Sequence, residues 1–161
     1  MARKLNFRLL ADPVHLLALG FGTGLSPKAP GTAGSLLAVP GLWYLSFAPW
    51  QWRVAVVAAA VAFGVWVCGE SARRLGEHDH PGIVFDEIAA MLALSLALPP
   101  GFIALALAFV LFRVFDILKP WPIRDLDHRL HGGLGIILDD LMAAVYTSAS
   151  LNLIFSLQHV V

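Results

Sequence analysis

Two long runs of this chain, residues 35–68 and 88–112, hold a single charged residue between them, Arg53. Each run is interrupted near its middle by a turn signal, Ala48-Pro49-Trp50 in the first and Pro99-Pro100-Gly101 in the second. Each therefore predicts two helices folded back on one another. A third uncharged run, 141–157, predicts one further helix. The acidic residues are confined to the stretches between, about 1–34, 69–87 and 113–140. A chain that goes out and back twice returns those three stretches to one face.

That pattern predicts an all-α fold in one domain over residues 1–161, a multi-helix membrane bundle of two helical hairpins plus a C-terminal helix. Arg3, Lys4, Arg8, Lys28, Arg73, Arg74, Arg113, Lys119, Arg124 and Arg129 fall on the polar side, with only Arg53 opposite. The positive-inside rule makes the polar loops cytoplasmic. A soluble helical bundle is the alternative, because several apolar runs fall short of the roughly 20 residues that a spanning helix needs. The shortest, 88–98, reaches that length if its helix begins near Gly82 and its partner continues to about Leu118. At 58% hydrophobic and 14% charged residues, with a mean hydropathy of +0.76, the composition favours the membrane.

The remaining composition excludes more than it suggests. A net charge of zero and the lack of a basic stripe argue against nucleic acid as a partner. Cys68 is the one cysteine, so disulfides and cysteine metal sites are excluded, and its apolar surroundings make it a packing residue. Asp12-Pro13 interrupts the apolar segment that follows Arg3, Lys4 and Arg8, which predicts a surface-lying amphipathic segment rather than a cleaved signal.

Three polar blocks carry candidate chemistry. Residues 20–35 combine glycines with Thr23, Ser26, Thr32 and Ser35 just before a predicted helix. Converging backbone N–H groups, hydroxyls and a helix N-terminus suit phosphate, although the spacing matches no nucleotide-binding fingerprint. An ordinary connection in which Thr32 or Ser35 caps the helix accounts for it equally well. The second block, 77–87, contains His78, Asp79 and His80 and ends in Asp86-Glu87 at a helix start. In the third, Arg113, Asp116 and Lys119 recur at three-residue spacing along one helix face, and Asp139-Asp140 follows a glycine-rich stretch. Singly, these acids read as helix caps or structural ion pairs.

Their conjunction is harder to explain that way. The predicted topology brings Asp86, Glu87, Asp116, Asp139 and Asp140 to one place, where they repel unless a cation is present. An all-oxygen cluster suits Mg²⁺ or another hard dication. With Lys119 and Arg113 nearby, the parts fit metal-assisted phosphoryl chemistry.

The strings at 20–32, 78–80 with 86–87, 112–123 (Phe-Arg-Val-Phe-Asp-Ile-Leu-Lys-Pro-Trp-Pro-Ile) and 131–140 (His-Gly-Gly-Leu-Gly-Ile with Asp-Asp) resemble, in order and over nearly the whole chain, the phosphatidylglycerophosphatase A family. The resemblance implies an all-helical, Mg²⁺-dependent enzyme of the bacterial inner membrane, and the charge distribution turns the active site of this multi-pass protein to the cytoplasm. It also implies hydrolysis of phosphatidylglycerol phosphate, a phospholipid substrate, to phosphatidylglycerol and phosphate. Within that expectation Glu87, Asp139 and Asp140, helped by Asp86 and Asp116, are metal ligands. Lys119 and Arg113 offset transition-state charge, while Thr23, Ser26, Thr32 and Ser35 bind the phosphate. Asp79, with His78 or His80, is the candidate general acid or base, or an outer ligand of the metal. A phosphatase for another lipid or isoprenoid phosphate, a cation-transporting protein and a structural subunit are the alternatives; a homo-oligomer is compatible with all of them.

Overall fold

The computed structural model describes residues 5–77, 80–121, 123 and 132–158. Helices make up the regular structure, and no strand occurs among the described residues. A 3₁₀ turn at Phe7–Ala11 leads into α1 (Pro13–Ala18), and a second at Gly20–Leu25 precedes α2 (Pro30–Ser46). Next come α3 (Trp50–Leu75) and α4 (Phe85–Ala93), the latter prolonged by a 3₁₀ turn at Leu94–Leu96; α5 (Phe102–Leu118) and α6 (Gly133–Gln158) complete the fold.

Local chemistry explains several of these limits. The Asp12 side chain accepts the Val14 N–H at 2.9 Å, and Pro13 occupies the first turn of α1, where its missing N–H costs nothing. At the end of α3, Gly76 takes the left-handed conformation (φ 74°), and the Glu77 N–H bonds back to the Ala72 carbonyl at 3.3 Å in a Schellman-type stop. Both expected turns occur, at 47–49 and 97–101, where the prolines interrupt the helices.

Packing does not follow chain order. The main neighbour of α2 is α4, while α3 packs chiefly against α6 and α4, and α5 chiefly against α6; α2 and α3 touch only lightly. The α3–α6 contact is close enough to exclude side chains: a Cβ on Gly133 would fall 1.8 Å from the Val65 carbonyl oxygen, and one on Gly64 2.3 Å from Ile137 Cδ1. Small residues let two apolar helices approach in this way where lipid supplies no hydrophobic drive.

α4 sits at the centre, packed by α2, α3 and α6, with Ala89, Ala90 and Met91 fully buried. It begins at Phe85, not near Gly82, so with its 3₁₀ extension it is much shorter than a span. The cause is a competing set of bonds: the Gly82 N–H goes to His80 Nδ1 at 3.0 Å, and the Val84 N–H to the Ala18 carbonyl at 2.9 Å. The other end of the expected hairpin, Leu118, is where α5 stops. The N-terminal segment also differs from expectation, because α1 buries Val14, His15 and Ala18 against α3 instead of lying on a surface. Cys68 is fully buried in the apolar cluster that Val14 and Ala18 form with Val67, Ala72 and Leu75 of α3, as its surroundings predicted.

Candidate active site

The first turn of α4 presents Asp86 and Glu87, and α6 brings Asp140 to meet them. One carboxylate oxygen from each of these three lies within 4.8 Å of the others. The C-terminal part of α5 adds Arg113 and Asp116, joined by a 2.7 Å ion pair, and Lys119 at the end of α5 reaches Asp139 at 2.6 Å. Lys119 takes a left-handed backbone (φ 42°), unusual for a side chain of its kind. The five carboxylates line one cavity of about 360 Å³ together with Lys28, Arg113, Lys119 and Thr32.

α2 closes the cavity from the other side. Ala29, Pro30, Gly31 and Thr32 line it, so the N-terminal end of a 17-residue helix faces the acids. First-turn N–H groups have no carbonyl one turn earlier to bond, and the helix dipole makes this end positive. Gly31 is what allows the approach: a Cβ there would sit 2.1 Å from Glu87 Oε1. Ser35 is buried just behind, donating to the Gly31 carbonyl at 2.9 Å and accepting from Arg113 Nη1 at 3.2 Å.

Two atoms in this network are left over. Glu87 Oε2 and Arg113 Nε are buried with no hydrogen-bond partner among the described residues. An unpaired buried carboxylate oxygen is costly unless something else satisfies it. The charges that bear on Glu87 are chiefly Asp140 and Asp116, with Arg113 opposing them; those on Asp140 are Asp86, Asp116 and Asp139. A cluster of hard oxygen donors with an unsatisfied buried oxygen fits a divalent cation such as Mg²⁺.

Not every candidate residue reaches the cavity. Thr32 lines it and Ser35 supports it, whereas the Thr23 hydroxyl donates to the Gly20 carbonyl at 2.9 Å and Ser26 ends the 3₁₀ turn; neither is among the lining residues. The glycine-rich turn is a packing device: a Cβ on Gly24 would lie 2.0 Å from the Gly82 carbonyl oxygen. His80 is buried and bonded to the Gly82 N–H, and does not line the cavity. His78 and Asp79 lie outside the described residues. Two capping explanations are corrected as well. α2 begins at Pro30, which puts Thr32 and Ser35 inside it, and α6 begins at Gly133, which puts Asp139 and Asp140 well within the helix. Lys28, exposed at the cavity mouth, and Gly31 were not singled out by sequence reasoning. Their position on either side of Pro30, a residue suited to a helix start, was the available signal.

The profile of the family described as Phosphatidylglycerophosphatase A matches residues 16–155. This chain belongs to the phosphatidylglycerophosphatase A family. A relative named Phosphatidylglycerophosphatase A from Escherichia coli is 47% identical over 147 residues, covering 90% of this chain and 85% of its own. One of the same name from Haemophilus influenzae is 40% identical over 152 residues, covering 93% and 91%. A third relative, from Bacteroides thetaiotaomicron, is 36% identical over 140 residues, covering 82% and 87%, and its name assigns it provisionally as a phosphatidylinositol-3-phosphatase. No solved structure matches the chain significantly. The matched region of this phosphatidylglycerophosphatase A family member contains every residue of the cavity.

Proposed function

We propose that this chain hydrolyses the phosphate monoester of phosphatidylglycerol phosphate, releasing phosphatidylglycerol and inorganic phosphate. The observation that carries the reading is the convergence of Asp86, Glu87 and Asp140 within 4.8 Å, with Glu87 Oε2 unpartnered among the described residues. Asp86, Glu87 and Asp140 would hold Mg²⁺, with Asp116 and Asp139 beside them. Bound there, the ion would supply Lewis-acid polarisation and a more acidic water. The N-terminal turn of α2, with Thr32, orients the phosphate oxygens. Arg113, held by Asp116 and Ser35, and Lys119, held by Asp139, offset charge that grows on those oxygens in the transition state. Asp79 with His78 remains the candidate for moving the water's proton.

Two helices, Trp50–Leu75 and Gly133–Leu157, are long and apolar enough to cross a membrane. In the most apolar part of the first only 28% of residues are buried, the reverse of a soluble core helix. Its exposed Trp50 and Trp66 are separated by about 24 Å at 1.5 Å per residue, near the spacing of two interfacial aromatic belts. These features support a multi-pass inner-membrane protein in which α3 and α6 span the bilayer and the shorter α4 lies inside the bundle, with the polar loops on the cytoplasmic face. The cavity then opens to the cytoplasm at the membrane surface.

Phosphate release from phosphatidylglycerol phosphate in mixed micelles, with and without chelator, tests the reading. Mg²⁺-restored turnover is expected, and chelator-insensitive release would remove the metal from it. The provisional name of the Bacteroides relative favours one second reading, a different head group on the same chemistry. A panel that includes phosphatidylinositol 3-phosphate separates the two.

A further inference from the structure

A second cavity of about 410 Å³ opens beside the first, lined by Phe109, Val110, Val114 and Leu118 together with Thr32, Arg113 and Ile117. The last three residues line the acidic cavity too, so the two are continuous. Their chemistries are opposite. One side of the seam is acids and cations; the other is apolar apart from Thr32 and Arg113 at the seam. Val110, Val114, Ile117 and Leu118 are 55%, 42%, 68% and 71% exposed, whereas Ala104, Leu105, Ala108 and Phe112 of the same helix are buried. The face of α5 that lines the groove is thus the one that the bundle leaves uncovered.

Direction matters as well as polarity. From Leu118 back to Phe109 the groove follows α5 away from the acidic end, a distance of about 14 Å at 1.5 Å per residue. A molecule that occupies both cavities must carry an anionic phosphate at one end and a hydrocarbon chain running from it along the helix. We infer that this groove seats an acyl chain of the phospholipid substrate, and that the lipid enters sideways between α2 and α5. The inference rests on the phosphatase reading above. It makes Val110 and Val114 residues that decide between lipid-borne and water-soluble phosphomonoesters, without any part in the chemical step.

The test compares, for each variant, kcat/KM on a long-chain diacyl phosphatidylglycerol phosphate with kcat/KM on its deacylated, water-soluble head group. Val110→Trp and Val114→Trp should fill the groove, lowering the diacyl value by about tenfold through KM and leaving the head-group value unchanged. Val54→Trp, on the exposed face of α3, should alter neither. Equal diacyl efficiency in the wild type and both groove variants overturns the inference. A wild type that releases phosphate from neither substrate overturns the phosphatase reading itself. Independently of turnover, phosphatidylglycerol phosphate with a photoreactive diazirine in one acyl chain should label residues 109–118, and Val114→Trp should suppress that labelling. Labelling spread evenly over α3 and α6 would count against the groove.

Discussion

The two ends of this bundle treat buried charge in opposite ways. At the far end, Arg53 stands alone, and each of its three nitrogens has a carbonyl to bond: Nε meets Ala48 at 2.8 Å, Nη1 meets Ser95 at 2.9 Å, and Nη2 meets Ser46. It ties the α2–α3 turn to the 3₁₀ extension of α4. At the other end five carboxylates meet Lys28, Arg113 and Lys119, and still Glu87 Oε2 and Arg113 Nε have no hydrogen-bond partner among the described residues. A charge whose bonds are complete stabilises the fold, as a structural tie would. A surplus of like charge with loose ends costs stability, and a fold tolerates it where a ligand completes the set.

The sharpest way to break this contrast is to neutralise the crowded end. Asp140→Asn and Glu87→Gln should each lower phosphate release by about 10²-fold or more, while the thermal midpoint stays level or rises because one repelling charge is gone. Gly31→Ala should act at the same place through sterics. Its Cβ would meet Glu87 Oε1 at 2.1 Å, and a displacement of that order costs roughly tenfold or more in rate, with little change in stability. At the far end the outcome should invert. Arg53→Met strands three carbonyls and is expected to cost about 1–3 kcal/mol, seen as easier denaturation at full activity per folded molecule.

The smallest effect belongs to Asp12. The Val14 N–H, and then Arg74 at 2.6 Å, hold its carboxyl below the usual 3.8. A depressed carboxyl contributes stability above its unfolded value, and that contribution fades as pH falls through the folded one. Asp12→Asn keeps the cap, so it should flatten only the acid limb of a plot of melting temperature against pH.

Much of this was legible in the chain because charge is so unevenly distributed along it. The uncharged runs marked the helices, Pro49 and Pro99-Pro100 marked the turns, and the acidic pairs marked the elements that meet. Sequence could not reveal that α4 is short and central, because its start depends on long-range bonds from Val84 to Ala18 and on the fit of Gly24 against Gly82. Nor could it divide the glycine block correctly. Glycines at 20–24 and at 31 look alike in a string, yet the first group lets two backbones touch and the last makes room for a carboxylate. α6 likewise begins earlier than its glycines suggest, since Gly133 is held in the helix by close packing on α3 that propensity alone disfavours.

The claim under everything else is that Asp86, Glu87 and Asp140 are gathered to hold a hard dication. Titration calorimetry of Mg²⁺ into the detergent-solubilised wild type, Glu87→Gln and Asp140→Asn measures it directly. The account predicts saturable binding to the wild type and at least about a tenfold loss of affinity in each variant, in line with removal of one ligand from a small carboxylate set. Equal affinity in all three proteins would contradict it.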